Sequence, residues 1–392
     1  MNNKLNTFLQ AQGLKILSAS RIRRDQWVFS STENRHFDSN SRYLFQYVYA
    51  YMPEIHPVYV MNDEKKREKL QIEYPRAEIV DANTLAGIRT VLESGAWFTS
   101  AGLPVYGAGL AKGRVIVNLW HGVPLKKIVL AEKRGHLLYR IIFHLIFSRN
   151  YTWVLTTSSR LIPIMQESFG VKREQVKVWG QPRNDCLFRS RKAQEALGGI
   201  YPDLPPFTKA VLYAPTHREN NPVKLFPFDD FNRQELEEFL GREGILLFIR
   251  THLYTLGNAQ WSEDGFAGAS RVFWLNEDRV EDVMEVLDAF DLLITDYSSI
   301  YIDFLLTGKP MLFLPYDKEA YLADRGLNFP YDKFTPGPKP DTFEKFCKQM
   351  RELLEGEDEY GEERRRANQF FNEIQKPCCE EICARVQERL WQ

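Results

Sequence analysis

The segment from Asp291 to Asp317 constrains the fold more strongly than any other part of this sequence. Leu292–Thr295 is a short apolar run typical of a buried parallel strand, and Ile300–Leu306 follows as a compact helix. Gly308 stands where a helix C-cap is expected, and Met311–Leu314 begins the next apolar run. A strand, a helix and a strand in so short a segment predict a βαβ unit, and therefore an α/β protein with a parallel sheet.

The turn inside this unit carries Asp296, Ser298 and Ser299, whose side chains are suited to capping the helix. A helix that starts just past the carboxyl end of a strand has free backbone N–H groups and a positive dipole end, which together attract phosphate. The two hydroxyls add further donors. The turn is therefore a candidate phosphate site, and a helix cap without a ligand is the alternative.

Length and charge narrow the class of protein. A chain of 392 residues is too long for one core of ordinary size, so two domains are expected. The 51 basic and 52 acidic residues nearly balance, which disfavours nucleic acid as a partner. The five cysteines, an odd number without a secretion signal, predict reduced thiols in a cytoplasmic protein. Cys378, Cys379 and Cys383 lack a CxxC pair, so no metal site is predicted there.

Short apolar runs alternate with helical segments along both halves of the chain. In the first half, the predicted strands are Trp27–Ser31, Val58–Met61, Ala96–Thr99, Val115–Leu119, Trp153–Thr156 and Val176–Trp179. In the second half, they are Ala210–Ala214, Gly244–Arg250 and Val272–Leu275, before the βαβ unit. We predict two Rossmann-like domains, residues 1–185 and 186–375, whose parallel sheets face a central cleft, and a C-terminal helix at residues 376–392.

His121 is the first candidate for chemistry. It follows the Val115–Leu119 strand in the run Trp120-His121-Gly122-Val123-Pro124, so it is expected at the carboxyl edge of the sheet, where a catalytic base belongs. A buried histidine with a purely structural hydrogen bond is the alternative. Lys126 and Lys127 lie just beyond and are suited either to phosphate or to solvent.

Several basic residues follow other strands. Arg250 and His252 end the strand at Gly244–Arg250, and His252 is suited to stabilising charge on a departing phosphate. Arg183 and Arg218, the latter two residues after Thr216, lie in further loops that follow strands. Arginine offers several donors to phosphate, although a structural ion pair is the alternative for each of these arginines.

The segment from Ile128 to Asn150 has a broad apolar face flanked by cations when it is wound as a helix. The apolar residues include Leu138, Ile141, Ile142 and Leu145. Such a helix can lie on an anionic membrane surface without spanning it. An ordinary core-packing helix is the alternative.

Five motifs occur in this chain in one order, and together they resemble the CDP-glycerol glycerophosphotransferase family of teichoic acid synthesis. They are Trp120 to Lys127, Gly180 to Asp185, Tyr213 to Thr216, Arg250 to His252 and Thr295 to Ser299. Tyr316-Asp317, Tyr321, Arg325-Gly326 and Pro336 to Pro338 also fit, so the resemblance covers about residues 95 to 340.

The resemblance implies a GT-B fold and transfer of glycerol phosphate, or a related polyol phosphate, from a CDP-linked donor to a hydroxyl of a lipid-linked (polyprenyl diphosphate) saccharide acceptor. CMP would leave, with no cofactor and no divalent metal. His121 would be the base and His252 a ligand of the donor phosphates. Arg250, Thr216, Arg218, Asp296, Ser298, Ser299 and Arg183 would lie on the donor side, and Trp120, Gly122, Lys126 and Lys127 on the acceptor side. The enzyme would work peripherally, on the cytoplasmic face of the membrane.

Two departures bear on substrate identity: Val123 stands where threonine is common, and His217 where an aromatic residue is common. The chain length favours a primase that adds one or a few units, and a short polymerase is the alternative. The alternatives are transfer of ribitol phosphate from CDP-ribitol, a GT-B glycosyltransferase that uses a nucleotide sugar, and a polymer-binding or lipid-binding scaffold without turnover.

Overall fold

The computed structural model describes residue 13 and residues 21–132, 137–189, 191–216, 218, 223–251, 266 and 268–392. The chain divides into two compact units. The first contains residues 1–123, 127–185 and 372–392, and the second contains residues 124–126 and 186–371. Residues 372–375, which the sequence analysis grouped with the second domain, therefore belong to the first unit together with the C-terminal helix.

The first unit is built on a parallel sheet of seven strands in the order β3-β2-β1-β4-β5-β6-β7. The strands are Arg23–Ser30 (β1), His56–Val60 (β2), Glu78–Val80 (β3), Ser94–Thr99 (β4), Val115–Asn118 (β5), Trp153–Thr156 (β6) and Val176–Val178 (β7). All residues of β4 and β5 are buried, because helices cover both faces of a parallel sheet.

Helices pack on both faces of this sheet. They are Ser39–Tyr51, Glu64–Glu73, Leu85–Glu93, Leu137–Phe143, Ile162–Phe169 and Cys379–Trp391. One core lies between the sheet, the Ser39–Tyr51 helix and the C-terminal helix, which contributes Ile382 and Val386. The Cys378, Cys379 and Cys383 thiols are buried in the same core. A second core covers the opposite face of the sheet.

The second unit is built on a parallel sheet of five strands in the order β10-β9-β8-β11-β12. The strands are Lys209–Tyr213 (β8), Ile245–Ile249 (β9), Val272–Trp274 (β10), Leu292–Thr295 (β11) and Met311–Phe313 (β12). The helices are Ala193–Gly198, Arg233–Arg242, Ile300–Phe304, Lys318–Arg325, Tyr331–Phe334, Phe343–Glu355 and Gly361–Phe371. Within each unit the strand order starts 3-2-1-4-5, which is the Rossmann order.

The predicted fold class, an α/β protein with two parallel sheets, is confirmed. The βαβ unit is present, with Gly308 in the left-handed conformation at φ 70° that ends its helical segment. The α-helix is shorter than predicted, since it ends at Phe304 and continues as a 3-10 turn over Leu305–Thr307. The strand β3 was not predicted.

The predicted amphipathic helix at residues 128–150 is also shorter than expected. The α-helix Leu137–Phe143 continues as a π-helical segment over His144–Ser148, and Val129–Ala131 forms a separate 3-10 turn. In the described part of the chain, no helix combines the length and the apolar character that spanning a membrane requires.

Candidate functional site

The loop that carries His121 leaves the carboxyl end of β5 through an unusual backbone conformation. Trp120 has a positive φ of 54°, which is strained for a residue with a side chain. The Asn118 side chain holds this turn, because its Oδ1 accepts a hydrogen bond from the Trp120 N–H at 2.9 Å. His121 and Gly122 follow directly, so the turn determines where the histidine lies.

A backbone oxygen holds the His121 ring. Its Nδ1 lies 2.9 Å from the Ser100 carbonyl oxygen, just past the end of β4. A carbonyl only accepts, so Nδ1 carries the proton and Nε2 of the neutral ring presents a lone pair. The Trp120 ring packs against the imidazole, with centroids 3.9 Å apart.

The protonated form of His121 is disfavoured. Desolvation by the surrounding protein lowers the pKa of His121 below its usual 6.5, and the positive charge of Arg183 lowers it further, against the opposing effect of the Ser100 hydrogen bond. The residue nonetheless keeps an exposed surface. Within the described part of the chain no residue is bonded to Nε2, and a neutral, accessible imidazole of this kind can accept a proton from a hydroxyl near pH 7.

Arg183, predicted to bind the donor, lies in the first unit beside His121. Its Nη1 donates to the His121 carbonyl oxygen at 2.8 Å. Its loop starts at Gly180, where φ is 87° and an added Cβ would lie 3.2 Å from the side chain of Cys378, so only glycine fits without strain. Asp185 ends the loop and accepts from the Cys378 and Cys379 N–H groups at 2.8 and 3.0 Å, which anchors the C-terminal helix.

In the second unit, Asp296 is the centre of a hydrogen-bond network at the carboxyl end of β11. Its Oδ1 accepts from the N–H and the hydroxyl of Thr216 and from the Tyr297 N–H. Its Oδ2 accepts from Arg218 at 2.8 Å. The structure thus brings together three of the predicted donor-side residues, Thr216, Arg218 and Asp296.

Arg218 is held by two carboxylates. It pairs with Asp296 at 2.8 Å and with Asp317 at 2.8 Å, and its side chain is only 6% exposed. Burial alone would lower the pKa of Arg218, but the hydrogen bonds and charges of Asp317 and Asp296 outweigh it and raise that pKa. Among the described residues, no three His, Cys, Asp or Glu side chains are grouped as metal ligands would be.

Tyrosine rings surround this ion-pair cluster. The Arg218 guanidinium lies over the rings of Tyr297, Tyr316 and Tyr321, at 5.0, 5.5 and 4.9 Å from their centroids. Tyr297 and Tyr321 stack at 4.0 Å, and the Tyr331 hydroxyl donates to the Asp296 carbonyl oxygen at 2.8 Å. The cluster is therefore well packed, and its charges are mostly satisfied internally.

Arg250 lies at the end of β9 and holds the loop that follows β10. Its guanidinium donates to the carbonyl oxygens of Leu275, Val280 and Glu281, at 3.0, 2.7 and 3.1 Å. These bonds give Arg250 a structural task in addition to any contact with the donor. His252, two residues further on, lies outside the described residues.

Ser298 and Ser299 are half-exposed at the start of the Ile300–Phe304 helix. The structure differs from the predicted cap at this turn: Ser299 occupies the N-cap position without a side-chain capping bond, and Ser298 Oγ accepts only a long 3.4 Å bond from the Ile300 N–H. The two hydroxyls therefore contribute little to capping this short helix.

The two lysines after the His121 loop belong to different units. Lys126 is assigned to the second unit, where it forms an antiparallel bridge with Leu327 and its Nζ lies 4.8 Å from the Tyr321 ring centroid. Asn328 donates to the Lys126 carbonyl oxygen at 2.9 Å. Lys127 is half-exposed and belongs to the first unit.

The predicted membrane residues form an exposed apolar surface on the Leu137–Phe143 helix and its continuation. The exposed fractions are 67% for Leu138, 48% for Ile141, 44% for Ile142 and 43% for Leu145. Phe143 is buried and attaches the helix to the core. These four side chains are therefore not packed in the core, as the alternative of a core-packing helix would require.

Sequence reasoning missed three residues that shape these sites. Asn40 and Ser100 contact the His121 loop in the first unit, and Asp317 pairs with Arg218 in the second. Asp317 was named in the sequence only as part of the family resemblance, without a role of its own. Asn40 lies in a polar run, Asp38-Ser39-Asn40-Ser41, that reads as an ordinary helix start, so the sequence carries no signal for its contact 80 residues away.

The two parallel sheets with Rossmann strand order fit the GT-B fold class, and solved structures share this fold. The wall teichoic acid polymerase TagF superposes with a TM-score of 0.78 over 100% of this chain and 98% of that chain, at 20% identity. A histidine-to-asparagine variant of TagF soaked with CDPG gives a TM-score of 0.78 at 21% identity, over 100% of this chain and 98% of that one. At this identity the likeness shows the fold alone.

The chain belongs to the CDP-glycerol:poly(glycerophosphate) glycerophosphotransferase family, whose sequence profile matches residues 14–389. A teichoic acid poly(glycerol phosphate) polymerase of Bacillus subtilis strain 168 is 26% identical over 367 residues, 90% of this chain and 47% of the relative. A teichoic acid poly(ribitol-phosphate) polymerase of Bacillus spizizenii is 30% identical over 255 residues, 63% of this chain and 39% of the relative. The chain thus spans about half the length of these relatives or less.

Proposed function

We propose that this protein transfers glycerol phosphate from CDP-glycerol to a hydroxyl of a lipid-linked saccharide acceptor and releases CMP, as a primase-like enzyme of teichoic acid or capsule-type polymer synthesis. Membership of the glycerophosphotransferase family supports the reaction type. The observation that carries the proposal is the hydrogen bond from His121 Nδ1 to the Ser100 carbonyl oxygen, which leaves Nε2 as a base.

In the proposed reaction, Nε2 of His121 takes the proton of the acceptor hydroxyl. The acceptor oxygen attacks the β-phosphorus of CDP-glycerol, the bond from that phosphorus to the bridging oxygen breaks, and CMP leaves with the electron pair. A new phosphodiester joins glycerol phosphate to the acceptor. The lowered pKa of His121 suits this role, because the imidazole is neutral and ready to accept a proton at pH 7.

The donor phosphates are proposed to bind in the second unit, at the half-exposed Ser298 and Ser299 hydroxyls, with His252 as a further ligand. Two features support this position. The hydroxyls are little used in capping, and the Thr216–Asp296–Arg218 network supports the turn that carries them. Arg218 and Asp296 then act by holding the turn, since Arg218 pairs with both Asp296 and Asp317.

The protein is proposed to work on an anionic membrane surface, at the cytoplasmic face, where a lipid-linked acceptor is found. The exposed side chains of Leu138, Ile141, Ile142 and Leu145 support this, because an apolar surface on a short helix suits the boundary between headgroups and acyl chains. Arg140 and Arg149 beside them supply charge of the sign that anionic lipids attract.

The test is nucleotide release by the purified protein. CDP-glycerol, CDP-ribitol and several nucleotide sugars are each supplied with and without a lipid-linked disaccharide, in the presence and absence of EDTA. CMP that appears only with acceptor, and from CDP-glycerol in preference to CDP-ribitol, is the expected result. The same rate in EDTA is expected if no divalent metal takes part.

Two other outcomes would replace the proposal. Faster CMP release from CDP-ribitol would make the protein a ribitolphosphotransferase, an activity named for several relatives. A nucleoside diphosphate from a sugar donor would make it a glycosyltransferase and leave His121 without the role of base in phosphate transfer. Tight binding of acceptor with no nucleotide release from any donor would indicate a scaffold.

A further inference from the structure

Asn40 makes an unusual set of contacts for the second residue of a helix. Its side chain is completely buried in the first unit. Nδ2 lies 3.1 Å from the Leu119 carbonyl oxygen, 2.8 Å from the Trp120 carbonyl oxygen and 3.3 Å from Gln181 Oε1. Oδ1 accepts from the Arg183 N–H at 3.1 Å. One amide thus joins the start of the Ser39–Tyr51 helix to the loops that follow β5 and β7.

These contacts fall on both sides of the strained residue that precedes His121. Trp120 has φ 54°, its N–H is held by Asn118, and its carbonyl oxygen is held by Asn40. A non-glycine residue keeps a left-handed conformation only where the surroundings hold it. The two asparagines supply that hold, so they determine the direction in which the chain enters His121.

The same helix turn also positions the oxygen that selects the His121 tautomer. The Ser41 N–H donates to Ser100 Oγ at 2.8 Å, and Ser100 Oγ donates to Ser41 Oγ at 3.0 Å. The Ser100 carbonyl oxygen in turn accepts from His121 Nδ1. Asn40 additionally fixes the backbone of Arg183, whose side chain binds the His121 carbonyl oxygen. Ser41 therefore contacts Ser100, and Asn40 contacts Arg183 and Trp120, so these two residues bind most of the groups that hold His121.

We propose that Asn40 is a positioning residue for the reaction: it holds the Trp120-His121 turn so that Nδ1 of His121 faces Ser100 and Nε2 faces the acceptor hydroxyl. The proposal rests on the function proposed for His121. An amide is required because the position needs a donor for two carbonyl oxygens and an acceptor for one N–H group. Aspartate can accept from Arg183 but cannot donate to the carbonyl oxygens, which its charge repels.

The experiment compares Asn40→Asp with a matched control, Gln26→Glu. Gln26 is a buried amide of the same unit that donates to the Thr90 carbonyl oxygen at 3.0 Å and to Ser94 Oγ at 2.8 Å, near the amino end of β1. Both changes turn a buried amide into a carboxylate, but only Asn40 contacts the His121 loop. Acceptor-dependent CMP release, CDP-glycerol binding by calorimetry and thermal unfolding are measured for each variant.

We expect Asn40→Asp to lower kcat by about 10-fold to 100-fold, because a small misplacement of a base costs that much, while the dissociation constant of CDP-glycerol stays unchanged. Gln26→Glu should keep kcat, whatever its thermal stability. A folded Asn40→Asp protein with the kcat of the unmodified enzyme would overturn the proposal. So would an equal loss of kcat in the control.

A spectroscopic readout separates this proposal from the proposed function. Nitrogen-15 NMR of histidine-labelled protein, assigned with His121→Asn, reports which ring nitrogen carries the proton. The unmodified protein should show His121 protonated at Nδ1, and Asn40→Asp should shift it toward the Nε2–H form. If no donor releases CMP, the proposed function fails, and the tautomer alone decides the role of Asn40. An unchanged tautomer would overturn the positioning role.

Folding of the variant is controlled with a smaller side chain. If Asn40→Asp unfolds, the same measurements are made on Asn40→Ala, in which water can reach the carbonyl oxygens. A folded Asn40→Ala protein with reduced kcat and an altered His121 tautomer supports the proposal. Unfolding of Asn40→Ala as well would overturn it, because Asn40 would then be needed for the fold of the unit and not for the position of one loop.

Discussion

The loops at the carboxyl ends of the strands differ between the two units in how they use polar side chains. In the first unit, the Ser100 carbonyl oxygen holds the exposed His121 ring, while the Asn40 amide and the Arg183 guanidinium hold the backbone around it. In the second unit, the charged residues of the predicted site, Arg218 and Asp296, are 6% and 2% exposed and pair with each other. The first loop leaves the His121 imidazole exposed, whereas the second buries its charged side chains.

This difference shows how an arginine after a strand should be interpreted. Arg218 and Arg250 have the sequence position expected of phosphate ligands, yet carboxylates hold the first and backbone carbonyl oxygens hold the second. Among the described residues of the predicted site, the uncharged Thr216, Ser298 and Ser299 are half-exposed, as is Arg250. The paired charges of Arg218, Asp296 and Asp317 therefore mainly hold the shape of the proposed donor site.

Replacement of His121 with alanine removes the proposed base of the first unit and should have the largest effect. Loss of the base is expected to lower kcat by about 10² to 10⁴-fold without weakening CDP-glycerol binding, since a base acts mainly in the transition state. CMP release and calorimetric donor binding measure the two quantities. His56→Ala is the control, because His56 contacts Glu78 at the amino end of β2. Loss of donor binding by folded His121→Ala would contradict the role of base.

Arg218→Ala tests whether the buried ion pairs of the second unit are structural. It leaves Asp296 and Asp317 without their partner, and removing one member of a buried ion-pair network costs about 3–5 kcal/mol of unfolding free energy. Urea unfolding measures the loss. Arg366→Ala, which breaks an exposed pair with Glu362, should cost less than about 1 kcal/mol. A folded Arg218→Ala protein of normal stability that no longer binds CDP-glycerol would show that Arg218 is a ligand instead.

The exposed apolar side chains of the first unit provide another test. Replacing Ile141, Ile142 and Leu145 with serine should reduce partition onto anionic vesicles by about 10-fold to 100-fold and leave the unfolding free energy nearly unchanged. Sedimentation with phosphatidylglycerol vesicles measures binding. Ile72→Ser with Leu85→Ser is the control, since these exposed side chains lie on two other helices. Unfolding of the triple variant would indicate that the segment belongs to the core.

The pH dependence of stability should show the smallest effect. Because the pKa of His121 is lowered on folding, the unfolded chain takes up a proton first as the pH falls through 6.5. The contribution of this residue to stability is therefore complete above pH 6.5 and is lost between that pH and the folded pKa. Urea midpoints at about pH 7.5 and 5.5 should fall further apart in the unmodified protein than in His121→Ala. Equal differences would show that the pKa of His121 is unshifted.

Much of the fold was accessible from the sequence because its signals are local. Buried parallel strands read as continuous apolar runs, and Gly308 marks a helix end through its own backbone preference. The strand β3 was missed because only Ile79 and Val80 of its residues are apolar, and Glu78 before them and Asp81 after them interrupt the run. The position of His121 after β5 was likewise predictable, since a parallel strand delivers the next residues of the chain to the carboxyl edge of its sheet.

The sequence by itself determined the order of strands and helices, the family and the candidate residues, because apolar periodicity and short motifs are properties of neighbouring residues. Only the tertiary structure decided which of the candidate side chains are exposed and which are buried in hydrogen bonds and ion pairs. Hydrogen bonds and ion pairs join residues far apart in the chain, such as Asn40 with Trp120 and Arg218 with Asp317. Such pairs form when folding excludes water from both partners, and no local pattern records them.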